Sequence, residues 1–203
     1  MRLVLSTALA VLLCACSDGG SVAVPGDAGP GPDSDGLCAV DPTYGDVGTV
    51  PYELSLAVRR DDDTGAAKSI TYIAALNGDQ DQVVIQLYRG FSVFTGKSIE
   101  AGTYPITGDE LNYASCGVCV RIFADRALIG GGHPLQDMMA TGGTLVVSEV
   151  GTGGSGAFKA TLMNASFEHV QIDATSFEST PVGDGCETRI NRLSADVPMT
   201  SAP

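Results

Sequence analysis

Tryptophan is missing from this chain, histidine nearly so, and positive charge is scarce. Its 203 residues hold 11 lysines and arginines against 24 aspartates and glutamates, a formal net charge of −13 at pH 7, with only two histidines. A surface this poor in bases repels a phosphate backbone, so nucleic acid is excluded as a partner. Without tryptophan the chain lacks the main ring on which sugar-binding sandwiches stack their ligands. No apolar run reaches the roughly 20 residues of a membrane-spanning helix. No stretch keeps a helical period beyond two turns, which excludes a helix bundle. No internal repeat of fixed period is present either.

What is present begins with "MRLVLSTALAVLLCACSDGG". Arg2 precedes an apolar segment over residues 3–13, then small residues and cysteines, the order of charge, apolar core and small cleavage site that marks a signal peptide. The junction Leu13-Cys14-Ala15-Cys16 resembles the lipobox of bacterial lipoproteins, with Cys16 in the register of the lipidated residue; Cys14 fits less well, because bulky Leu13 stands where a small residue belongs. The resemblance implies cleavage after residue 15, a thioether-linked diacylglycerol and an N-acyl (palmitate-type) chain on Cys16, and, with Ser17 next, sorting to the outer membrane on its periplasmic or cell-surface face. Each buried methylene contributes about 0.8 kcal/mol, so two or three acyl chains hold a protein stably where one does not.

Residues 16–36, "CSDGGSVAVPGDAGPGPDSDG", read as a flexible tether, because glycine, proline, aspartate and serine bury too little to offset the entropy of ordering. Within it "DSDG" lacks the ligand spacing and closing glutamate of a calcium loop. The remaining 167 residues, 37–203, are one domain by length, with room for a real hydrophobic core. Cleavage removes Arg2 and no acid, leaving 10 bases, 24 acids and a net charge of −14. Such a domain tends to stand away from an anionic membrane.

The domain reads as strand nearly throughout. "YELSLAV" (52–58) alternates in period two, and "SITYIAAL" (69–76) and "QVVIQLY" (82–88) flank the turn signal Asn77-Gly78. "FSVF" extends toward the turn at "TGKS". "GTYPI", "VCVRIFAD", "GTLVVSEV" (143–150), "AFKATLMNASFEHVQI" (157–172) and "RINRLSADV" (189–197) are further strands, and "HPLQDMMA" (133–140) alone suits a short helical turn. Turn signals recur every 8 to 12 residues or so, the pattern of an all-β fold: an antiparallel β-sandwich or barrel-like domain of about 8–10 strands. "RDDDTG" (60–65) reads as a solvated, charged hairpin tip.

Four cysteines remain beyond the signal region: Cys38, Cys116, Cys119 and Cys186. An even number in an exported domain points to structural disulfides, with three possible connectivities. A redox-active pair belongs at a helix N-terminus, but "CGVC" (116–119) runs into the strand-like "VRIF". A four-cysteine zinc site needs two close pairs, and here Cys38 and Cys186 lie 78 and 67 residues from the one close pair. A straight strand would hold Cys116 and Cys119 about 10 Å apart, beyond the roughly 7 Å limit of a disulfide. Either Gly117 lets the chain turn and the two bond to each other, or each bonds to a distant cysteine. Local closure favours Cys116–Cys119 with Cys38–Cys186, against a mild energetic preference for crossing.

Other candidate chemistry is thin. "GTGGSG" (151–156) resembles a nucleophile elbow only in part, because Ala157 stands two residues after Ser155 where glycine is required. His133 lies in "GGGHPLQD", with Asp137 in reach to orient it, and reads as a surface-loop histidine. His169 sits on a strand with Glu168 on the opposite face. The whole arrangement of signal, lipobox, tether and disulfide-stapled β-domain resembles a broad class of bacterial lipoproteins. It implies a non-catalytic domain in a binding, adhesion or structural role, without metal or cofactor, attached to the membrane through Cys16 and facing an extracellular protein or polysaccharide. The rival expectation is an exported thiol oxidoreductase using the CGVC pair, or a hydrolase around His133.

Overall fold

A computed structural model describes residues 38–125, 134–152 and 156–202. The expected signal peptide, Cys16 and the tether lie outside the described residues, as do His133 and Ser155. Among the described residues ten strands follow in order: β1 (Gly45–Thr49), β2 (Ser55–Asp61), β3 (Ala67–Leu76), β4 (Asp81–Tyr88), β5 (Gly102–Pro105), β6 (Val118–Ala124), β7 (Gln136–Val150), β8 (Ala157–Ile172), β9 (Ser179–Pro181) and β10 (Glu187–Ser201). The domain is all-β, as the alternation requires.

Alternation decides which side of each strand is buried. Ile70, Tyr72, Ala74 and Leu76 of β3, Val83, Ile85 and Leu87 of β4, and Val118, Val120 and Ile122 of β6 all enter one core cluster. They are two apart, so they share a face. Phe158 and Leu162 of β8 and Leu193 and Val197 of β10 meet them from the far side, and the Tyr72 and Phe158 rings lie 5.8 Å apart. Burial on this scale contributes about 1.5–3 kcal/mol for each large apolar side chain.

The expected antiparallel sheet is corrected to a mixed one. β2, β3, β4, β6, β7 and β8 pair antiparallel in that order, and β8 pairs antiparallel with β10. The other edge of β10 pairs parallel with β1 and then with β2. Through β2 the sheet closes on itself, giving a barrel in which β1 and β2 share one edge of β10, and β6 and β5 share one edge of β7. Parallel neighbours need a long crossover, and here nearly the whole domain is that crossover. A period-two pattern carries no information about strand direction, which is why the sequence does not show it.

The long strands bend where they break register. β7 and β8 slip between Ala140 and Gly142 and between Gly142 and Thr144, as bulges do. Gly143 has φ +128°, and a Cβ there would stand 2.8 Å from Ala165 Cα, so only glycine fits. Two local expectations change. "HPLQDMMA" is strand from Gln136 onward, because Met138 faces the core while Met139 is buried on the outside, which blurs the alternation. "FSVF" leaves the sheet as a 3₁₀ turn at Ser92–Phe94, with Phe94 buried and Phe91 48% exposed.

Candidate functional site

Both cysteine pairs are bonded, Cys38 to Cys186 and Cys116 to Cys119, each with Cα atoms 5.3 Å apart. The short bridge forms because the chain coils before β6 begins. Ser115 and Cys116 donate their N–H groups to Asn112 O at 3.1 and 3.0 Å, drawing Cys116 back over Cys119. Gly117 serves close approach, since a Cβ there would lie 2.5 Å from Phe91 O. Behind the loop, Glu110 is buried and accepts the Val118 N–H at 2.6 Å, satisfying a donor at the strand's start.

This coil faces outward and carries a small second hydrophobic cluster on the sheet's outer surface: Cys116, Cys119, Met139 and Val170, with Tyr88, Tyr113 and Ile172 packed against it. Above it opens a cleft of about 250 Å³ lined by Tyr88, Phe91, Tyr113, Ala114, Cys116 and Phe177. Three separate pieces of chain supply its rings. Tyr88 ends β4 and Phe91 begins the following turn, while Tyr113 and Ala114 come from the coil before the bridge. Phe177 comes from the excursion between β8 and β9, where Asp173 Oδ1 accepts the N–H groups of Thr175 and Ser176 at 2.9 and 2.7 Å. Those two donors hold the Asp173 carboxyl below its ordinary value. The turn leaves Phe177 at φ 61°, a conformation a bulky residue adopts only when its surroundings hold it there. Asn112 Nδ2 donates to Ser179 O at 3.4 Å, and the Tyr113 N–H reaches Ser179 Oγ at 3.2 Å, so coil and excursion are tied together beside the cleft.

The rings stand as two near-perpendicular pairs. Tyr88 and Phe91 lie 6.2 Å apart at 66°, and Tyr113 and Phe177 lie 6.4 Å apart at 72°. Phe91 and Phe177 remain 48% and 54% exposed, although an apolar ring in water is unfavourable. The two tyrosine hydroxyls approach to 3.4 Å; burial, then that neighbouring hydroxyl, raises the Tyr88 pKa well above its ordinary value. Beneath Tyr113 lies Arg121, its guanidinium carbon 4.3 Å from the Tyr113 ring centre and 4.5 Å from that of Phe123. Asp137 takes both edges of the guanidinium, Nε donating to Oδ1 at 2.9 Å and Nη2 to Oδ2.

Asp137 is thus committed to Arg121 and stands in a strand; His133, with which it was grouped, lies outside the described residues. The second histidine has a partner that sequence spacing did not suggest: His169 Nδ1 is 2.5 Å from Asp184 Oδ2, and this contact lowers the Asp184 pKa. The tip "RDDDTG" forms the β2–β3 turn, where Asp62 accepts from Thr64 and Arg89, holding its carboxyl well below the usual range. Among the described residues no three histidines, cysteines or acids are grouped to hold a metal, and no helix is long and apolar enough to cross a membrane. A broader hollow of about 570 Å³ over β8 and β10 is polar, with Ser166, Glu168, Glu187 and Arg189 on its walls. The two hollows differ in chemistry: this one is lined by polar and charged side chains, the aromatic cleft by exposed apolar rings. Sequence reasoning found the cleft's cysteine, Cys116, with its partner Cys119, and missed the rings, whose chain positions, 88 to 177, give no common motif. Comparison with protein families, with curated proteins and with solved structures finds no match to this chain.

Proposed function

We propose that this protein is a lipid-anchored lipoprotein of the outer membrane, facing the periplasm or the cell surface, whose barrel binds a ligand without catalysis. The observation that carries the binding role is the aromatic cleft: Phe91 and Phe177 are held half in water from two separate turns. Exposed rings around a hollow are a usual feature of a recognition site. Two bonded cysteine pairs suit an oxidising compartment outside the cytoplasm, in keeping with the signal-like first 15 residues and the lipobox at Cys16. A thiol oxidoreductase fits less well, since Cys116 and Cys119 are 1% and 0% exposed and the pair precedes a strand.

Anchoring is tested by fractionating cells that express the wild type or Cys16→Ala. The wild type is expected in the membrane fraction and to move into the detergent phase on extraction. The variant is expected to lose membrane association, and its unchanged retention there would overturn the lipid anchor.

A further inference from the structure

We infer that the cleft is an aromatic cage for a small organic cation bearing apolar N-substituents, of the quaternary-ammonium class. This rests on the cleft being the binding site and adds the chemistry of the ligand. Four rings from Tyr88, Phe91, Tyr113 and Phe177 surround the hollow, with Ala114 and Cys116 completing it. Within each neighbouring pair the ring planes meet edge toward face at 66° and 72°, so the rings are not stacked on one another. Each π face carries negative potential and attracts a cation within about 6 Å, more strongly as water is displaced.

Further features select the ligand. The described lining carries no carboxylate, and its polar side-chain atoms are the two tyrosine hydroxyls, 3.4 Å apart. A sugar or a primary ammonium carries three or more donors, more than these two hydroxyls pair, and each donor left over costs binding energy. A quaternary ammonium has no N–H to satisfy. The guanidinium of Arg121, on the far side of the Tyr113 ring, is paired with the Asp137 carboxylate. The chain's net charge of −13 supplies a field that draws cations toward the surface. The floor is fixed by the Cys116–Cys119 bridge, so the cage is preformed.

The test is calorimetric titration of the full mature chain in phosphatidylglycerol nanodiscs, with empty discs subtracted. The probes are choline and its uncharged carbon isostere, dimethylbutanol. Choline is expected to bind about tenfold more tightly than the isostere, the ratio that one to two kcal/mol of cation–π attraction provides. Phe177→Leu keeps apolar volume and removes a π face; because Phe177 is 54% exposed, the fold should tolerate the change. It should weaken choline about fivefold or more while leaving the isostere nearly unchanged. Equal binding of choline and isostere, or insensitivity of choline to Phe177→Leu, would overturn the cation inference and leave an apolar binding cleft standing. If neither probe binds, the reading of the cleft as a ligand site falls with it.

Discussion

The two disulfides of this domain have the same Cα separation, 5.3 Å, and different work to do. Cys38–Cys186 joins residues 148 apart in sequence and belongs to the main core. Around it the N-terminal segment is fastened repeatedly: Ala39 N–H donates to Gln136 Oε1 at 2.8 Å and Thr188 Oγ1 to Asp41 O at 2.5 Å. Slightly further along, Tyr44 donates its hydroxyl to the buried Asp81 at 2.6 Å. Burial is the main cause raising the Asp81 carboxyl, with that hydroxyl and the Asp125 N–H opposing it. Cys116–Cys119 closes a loop of four residues and belongs to the outer cluster under the cleft. One bridge restrains the chain, holding the segment that enters the barrel against the last strand. The other shapes a surface. Restraining the chain and shaping a surface are therefore divided between the two bridges.

The largest expected effect breaks the first bridge. Closing a loop of that length is worth about 5 kcal/mol on the chain-entropy model, and closing the four-residue loop about 2. Cys38→Ala/Cys186→Ala should accordingly lose two to three times as much stability in urea unfolding as Cys116→Ala/Cys119→Ala. Equal losses would remove the distinction between the bridges. The next effect concerns the outer cluster alone. Asp137→Ala leaves Arg121, whose side chain is only 9% exposed, without its carboxylate under Tyr113. Stranding a nearly buried guanidinium costs about 3 kcal/mol. Asp137→Ala with Arg121→Met should recover most of that loss, and failure to recover would show that Asp137 matters through another contact.

How much of this was legible in the chain differs between the two regions. The barrel's strands were visible because Ile70, Tyr72, Ala74 and Leu76, or Val118, Val120 and Ile122, alternate as one buried face demands. The closing step was not, because nothing in the alternation of β10 distinguishes a parallel partner from an antiparallel one. Near Met138 and Met139 the outer cluster hides the strand, since burial on both faces erases the period. Of the cleft, Cys116 and Cys119 were visible as a close pair, with local bonding narrowly favoured. Phe91, Tyr113 and Phe177 were not, because each lies in a turn whose position depends on tertiary bonds such as those between Asn112 and Ser179. Asp184 was equally invisible as a partner for His169, being fifteen residues distant.

That last pair yields the smallest and most selective effect. Asp184 accepts from the Cys186 N–H at 3.0 Å while its other oxygen meets His169, so it sits against the long bridge and far in sequence from the short one. Its folded pKa lies below the ordinary value, chiefly through His169. In the window between that lowered value and the unfolded value, about 3.9, the unfolded chain binds more protons than the folded one. Stability from this contact is therefore complete above about pH 4 and is lost as the pH falls through the folded value. Asp184→Asn should flatten the acid side of the melting-temperature profile, removing about 0.5 kcal/mol at neutral pH for a pair this near the surface. The same substitution made on the Cys38→Ala/Cys186→Ala background should cost measurably less, because neighbours sharing a contact are coupled, whereas on the Cys116→Ala/Cys119→Ala background it should cost the same as in the wild type. Equal costs on all three backgrounds would mean that Asp184 orients His169 without helping to hold the long bridge.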